Sequence, residues 1–255
     1  MDFPVTRSIL SRLDAWIHAF AQLLPPAKRI PVKDSFRWEH PDKTLEAAQV
    51  AKAVRAASGL NAALHLADLG HTVECGTLLR TVADFSAEVL YLGEAMVEGR
   101  LTADQQRFVE QHFAPFPTNP DELAAREREY YIGRKDIGRA HRRIMEKYGA
   151  PADEMAKIGA YLNKGYDSYV HGTNGSAMEL YDATINSFMI GGHRSQRFIC
   201  MAKVSVAGKL QEFLNSLRFM AITRGASAIA QQIRLATQEL DNSEEDAGLP
   251  CEGVR

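Results

Sequence analysis

The sequence predicts an all-α protein, a multi-helix bundle of six to eight helices. Two observations carry this. Apolar residues recur at spacings of three and four in nearly every patterned segment. No stretch shows the alternating β-branched pattern of a strand, and no repeat of helical-array length is present.

Taken in order, Ser8 to Leu24 places Ile9, Leu13, Trp16, Ile17, Phe20, Leu23 and Leu24 on one stripe. Thr6 or Ser8 is placed to cap this helix, and Pro25-Pro26 stops it. Ala27 to Pro41 reads as a loop, with Phe36 and Trp38 anchoring it to the bundle. Asp42 reads as the N-cap of a helix to about Leu69, with Gly59, a weak helix former, inside it. Gly70-His71-Thr72 breaks it, and a second long helix follows from Val73 to Val97. Thr102 with Gln105 three residues on forms a capping-box signature for a helix to Phe113.

The segment 115–120, PFPTNP, reads as a linker, with Asn119-Pro120 as an N-cap and N1 pair. A charged helix is expected from Asp121 to Tyr148, ended by Gly149 and Pro151. Helices follow from Ala152 to His171, from Ser176 to Ile190, and from Arg194 to Leu240, the last bent near Gly208 or Gly225. The expected organisation is one helical domain over 1–240, with the N-terminal helix 6–24 and the loop 25–41 packed on it. The acidic, aperiodic segment 241–255 is expected to be disordered.

Composition sets the outer limits. A chain of 255 residues, 45% hydrophobic and 24% charged, can bury a sizeable core without disulfides or metals. A net charge of −2 excludes a broadly basic nucleic-acid coat, though not a local basic patch. Cys75, Cys200 and Cys251 form no C-x-x-C pair, so neither a disulfide framework nor a zinc knuckle is expected. That usage suits a reducing cytoplasm. The first residues lack the apolar core of a signal peptide, and no apolar run approaches bilayer length, so a cytoplasmic protein without a membrane partner is expected.

Three constellations carry candidate chemistry. Arg80, Asp84 and Glu88 lie at i, i+4 and i+8 and share one helix face. An arginine held by carboxylates binds an anion, orients a histidine, or forms a structural ion pair. The second is Tyr166-Asp-Ser168-Tyr-Val-His171, followed by Gly172 and the loop holding Asn174. Asp167, Ser168 and His171 can face one side. A histidine in a last helical turn near a carboxylate suits acid–base work, or caps the helix by bonding its last carbonyls. The third is the helix from Arg126 to Lys147, net positive by four, with Tyr130 and Tyr131 among the charges. Arg134, Arg139 and His141 on it are placed to track a phosphate backbone, or it is a solvated, salt-bridged helix. No phosphate-loop, dinucleotide, zinc-protease or serine-elbow motif is present, and no metal or cofactor is expected.

Two of these segments together, Leu78-Leu-Arg80-Thr-Val-Ala-Asp84 continuing to Tyr91-Leu92, and Tyr166-Asp-Ser168-Tyr-Val-His171-Gly, resemble a poorly characterised bacterial helical family. That family is similar to the HEPN superfamily, helical domains that include RNA-cleaving toxins and antiphage effectors. The resemblance spans about residues 45–220 but rests on fewer than ten positions. The family's usual glutamate is Asp84 here, a shorter carboxylate. HEPN nucleases carry Arg-x(4–6)-His. Arg12/His18, Arg107/His112 and Arg134/His141 fit that spacing, against about two matches expected by chance.

The resemblance implies a HEPN-like core with a long C-terminal helix. It also implies an effector acting on RNA or a nucleotide by metal-independent acid–base chemistry, in a stress or antiphage role. His171, Arg80 and Asp84 would then be the catalytic residues. Tyr166, Ser168, Asn174, Arg134, Arg139 and His141 would contact the substrate. A homodimer or a protein partner such as an antitoxin fits the same picture. The competing reading is a non-catalytic binding or oligomerisation module, in which Arg80, Asp84, Tyr166 and His171 form a structural polar network.

Overall fold

Two long helices form the spine of the fold. The computed structural model describes residues 3–32, 35–114, 121, 133–147, 152–193 and 195–246. Within these, α1 is Pro4–Ala21, the strands β1 and β2 are Lys28–Val32 and Ser35–Glu39, α2 is Leu45–Asp68, and α3 is Thr72–Glu98. α4 is Ala103–Phe113, α5 is Arg134–Lys147, α6 is Ala152–Val170 and α7 is Asn174–Met178. The strands β3 and β4 are Tyr181–Asp182 and Ser187–Phe188, and the chain continues as α8, Gln196–Thr223, and α9, Ser227–Asp246.

The spine is α2 against α3, with α8 laid across both. α2 buries a row of small residues, among them Ala53, Ala56, Ala63 and Ala67. Small side chains let helix backbones approach closely, and the larger groups of α3 and α8 fill the space between. The main core joins Leu13, Phe20, Leu60, Leu79, Phe213, Leu217 and Ile233 from α1, α2, α3, α8 and α9. A smaller core under α4 and α5 is built from Tyr91, Leu92, Phe108, Ile137 and Ala140. Such burial is the main favourable term in the fold, at about 25 cal/mol per Å² of apolar surface.

The structure is mostly helical, as expected, but differs in detail. Nine helices lie among the described residues, more than six to eight. The expected continuous helix Arg194 to Leu240 is two helices. Gly208 sits inside α8, while Gly225 at φ +68 supplies the left-handed residue that lets the chain turn into α9. α2 contains Gly59 as expected but is capped by Thr44, which accepts from the Ala47 amide, not by Asp42. α1 begins at Pro4, with neither Thr6 nor Ser8 as cap. The Thr102–Gln105 capping box is formed.

The expected helix Ser176 to Ile190 is instead the short α7 and the β3–β4 hairpin. A second antiparallel hairpin, β1–β2, occupies the expected loop 25–41, and Phe36 and Trp38 are exposed there instead of anchoring it. α9 continues past Leu240 to Asp246. Cys75 is a free buried thiol, whereas Cys200 is disulfide-bonded, contrary to the cysteine arithmetic. The linker 115–120, with Asn119-Pro120, and the stretch 122–132 of the charged helix lie outside the described residues. No described helix is long and apolar enough to cross a membrane.

Candidate functional site

Arg80 lies in the first third of α3, and its side chain is only 3% exposed. Residues one turn apart on a helix meet, so its Nη1 donates to Asp84 Oδ1 at 2.7 Å. Its Nε donates to Asp167 Oδ1 at 2.6 Å, reaching across to α6. Burial works against the guanidinium's charge, yet the two carboxylates hold its pKa above the usual value. Asp84 and Asp167 remain about a third exposed, so the arginine sits beneath a partly wet acidic cover.

Neighbouring side chains tighten this joint between α3 and α6. The ring of Tyr169 lies against Gly76, where an added Cβ would come within 2.5 Å of it. The Tyr169 hydroxyl donates to both oxygens of Glu179 at 3.1 and 3.2 Å. Tyr166 packs on the main core beneath Lys209, whose Nζ lies 5.1 Å from the ring centroid. Burial raises the Tyr166 pKa, so the phenol stays protonated.

One turn beyond Asp84 the α3 stripe continues as a second buried pair. Lys52 Nζ, from α2, stands 2.7 Å from Glu88 Oε2, and it also lies over the rings of Phe85 and Phe108. Burial raises the Glu88 pKa and Lys52 opposes the rise. Nearby, burial and the Lys52 charge push His112 down to about 4, so its imidazole is neutral at pH 7.

The other candidate residues fall elsewhere. His171 follows the last residue of α6 and is exposed. Its backbone N–H donates to Asp167 O at 3.0 Å. Its side chain makes no hydrogen bond or ion pair among the described residues. Ser168 Oγ donates back to Gly165 O at 2.6 Å, within its own helix. Asn174 is exposed and opens α7 behind the Thr173 cap. Arg134 and His141 lie on α5, with their side chains outside the described residues.

Arg139 is exposed and bonded to Asp136 on the same helix. Arg143 makes a two-pronged pair with Glu94 of α3, at 2.7 and 2.9 Å, and Lys147 meets Glu98 at 2.9 Å. These pairs edge a cleft of about 580 Å³ between α3, α4 and α5, into which the Tyr91 side chain is set. Burial first, then Asp104, Asp136 and Glu94, push the Tyr91 phenol up to about 12. Two basic side chains of α5, Arg143 and Lys147, are thus matched by α3 carboxylates, and Arg139 by an acid of its own helix.

The i, i+4 spacing reveals Arg80–Asp84, but two partners lack any local signal. Asp167 is 87 positions from Arg80 and reads in the sequence as a companion of His171. Lys52 sits on an alanine-rich helix with nothing beside it to mark a role. Among the described residues, no group of three or more His, Cys, Asp or Glu side chains is arranged to hold a metal ion. No protein-family model, no curated protein and no solved structure matches this chain.

Proposed function

We propose that this protein is a non-catalytic helical binding module, and that Arg80, Asp84 and Asp167 form the polar lock that sets α6 against α3. One observation carries the reading. The Arg80 Nε and Nη1 groups are both committed to carboxylates on two helices, and the side chain is 3% exposed. A cation so neutralised is poorly placed to stabilise developing phosphorane charge, which needs donors aimed at the reacting group. His171, the expected acid or base, stands exposed with no partner to orient it among the described residues. General acid–base catalysis needs a positioned group within hydrogen-bond reach of the substrate.

The HEPN-like, RNA-cleaving effector is the second reading, and the α3 stripe favours it. Glu88 with a raised pKa, and beside the stripe the half-buried His112 of α4 held neutral, are the kind of perturbed groups that active sites use. The two readings separate in a cleavage assay on labelled single-stranded RNA, with wild type, His171→Ala and Arg80→Met at matched folded fraction. The module reading predicts no cleavage that depends on either residue. Cleavage abolished by His171→Ala in a folded protein contradicts it.

A further inference from the structure

The β1–β2 hairpin is built unlike the rest of the molecule. Its ladder pairs Lys28 with Glu39, Arg29 with Trp38, Ile30 with Arg37, and Pro31 with Phe36. Directly opposed residues share a face, and successive residues alternate between faces. One face therefore carries Arg29, Pro31, Phe36 and Trp38. The other carries Lys28, Ile30, Arg37 and Glu39, with Arg37 paired to Glu39 at 2.5 Å.

The first face is open. Trp38 is 64% exposed and Phe36 is 42% exposed. Isolated two-stranded hairpins are marginal in water, and three or more strands or a packed helix normally support them. Here the support within the hairpin is aromatic. Phe36 and Trp38 meet edge to face at 5.9 Å, and the Arg29 guanidinium lies 3.9 Å above the Phe36 ring.

The other tryptophan behaves in the opposite way. Trp16 is buried in the main core and donates its indole N–H to Gln232 at 2.9 Å. Lys28 and Arg29 are exposed, and neither is ion-paired among the described residues. The four charged residues of the described strands, Lys28, Arg29, Arg37 and Glu39, sum to +2, on a chain whose total is −2. The hairpin is thus a locally basic projection on an acidic protein.

We infer that this face binds single-stranded nucleic acid, with a base stacked on Trp38 and a neighbouring phosphate held by Arg29. The inference rests on the binding-module reading and supplies its ligand class. Stacking platforms flanked by unpaired cations are how sequence-tolerant single-strand binders work. A second copy of the chain is the weaker fit. Two such hairpins meet with like charge, and Pro31 has no N–H to extend the sheet edge.

The test uses the full chain with fluorescein-labelled oligouridylate and oligothymidylate 12-mers, and polyglutamate as an anionic control without bases. Anisotropy reads binding, and tryptophan emission reads stacking, because only Trp38 of the two tryptophans is exposed. The expected result is quenching with either oligonucleotide and none with polyglutamate. Trp38→Ala and Arg29→Ala each weaken binding by roughly tenfold, within the range for loss of one stacked base. Arg29→Ala also lowers the slope of log affinity against log salt by about 0.7, one phosphate contact. Preference between the two 12-mers tells whether RNA or DNA is the source.

Both side chains are exposed on a hairpin that contributes to neither core, so the variants should match wild type in overall circular dichroism and Tm. Absence of quenching in wild type, or variants that bind as wild type does, overturns the inference. So does equal binding of polyglutamate, or a dimer in sedimentation that Trp38→Ala dissolves without any oligonucleotide binding. None of these results bears on the Arg80 lock, which is read by unfolding and cleavage.

Discussion

The α3–α6 joint and the β1–β2 hairpin hold similar residue types in opposite states. In the joint, an arginine is 3% exposed and donates to two carboxylates. In the hairpin, an arginine stands in water on the same face as a tryptophan that is 64% exposed, and a lysine is exposed on the other face. A charge taken from water must be answered inside the protein, or the fold is penalised. Once answered, it has little left to offer a ligand. The hairpin's cations and rings pay no such penalty and remain available. Charges satisfied within the chain report on the fold, and those left open report on partners.

The comparison is broken most severely by removing Arg80. Arg80→Ala leaves Asp84 and Asp167 facing each other without their cation. Breaking a buried pair costs about 3–5 kcal/mol, and partial rehydration of these carboxylates brings the expected loss to about 2–3 kcal/mol. Urea unfolding measures it. Arg80→Met, which keeps the packing volume, should lose less.

Acid should have the next largest effect, through His112 of α4. Folding lowers the His112 pKa from 6.5 to about 4, so below pH 6.5 the unfolded chain binds the extra proton and the native state resists it. Stability from this group is present above pH 6.5 and is lost as pH falls toward 4. The size is about 2 kcal/mol on the scale of 1.36 kcal/mol per pKa unit, reduced for partial exposure. His112→Gln should flatten the dependence over that window in chemical unfolding at stepped pH.

A smaller change sharpens the packing side of the comparison. Gly76→Ala pushes a methyl group into the Tyr169 ring, which must shift together with its bond to Glu179. Overpacking of this kind costs about 1–2 kcal/mol, visible as a lowered Tm. The smallest effect belongs to the exposed residues. His171→Ala and Trp38→Ala should each alter unfolding free energy by under about 0.5 kcal/mol, as ordinary surface substitutions do.

The sequence shows the helices more clearly than it shows the two hairpins. Helical period is a repeated signal, and the stripe from Ile9 to Phe20 states it over three turns. Ser35-Phe-Arg-Trp-Glu39 does alternate, but over five residues with no β-branched side chain, and neither face is buried to enforce the pattern. Asp182 and Ser187 belong to two-residue strands, too short to leave any period. The site divides in the same way. Arg80 and Asp84 are readable because i, i+4 neighbours must meet. Asp167 and Lys52 join them only through the packing of α6 and α2 on α3, which local spacing does not encode.

The central claim is that Arg80 acts as a lock between helices. A double-mutant cycle of Arg80→Met and Asp167→Asn, read by urea unfolding, addresses it directly. The account predicts that the two losses are strongly non-additive, with a coupling of about 1–2 kcal/mol. Additivity within about 0.3 kcal/mol would mean the pair does not hold α3 to α6, and would contradict the account.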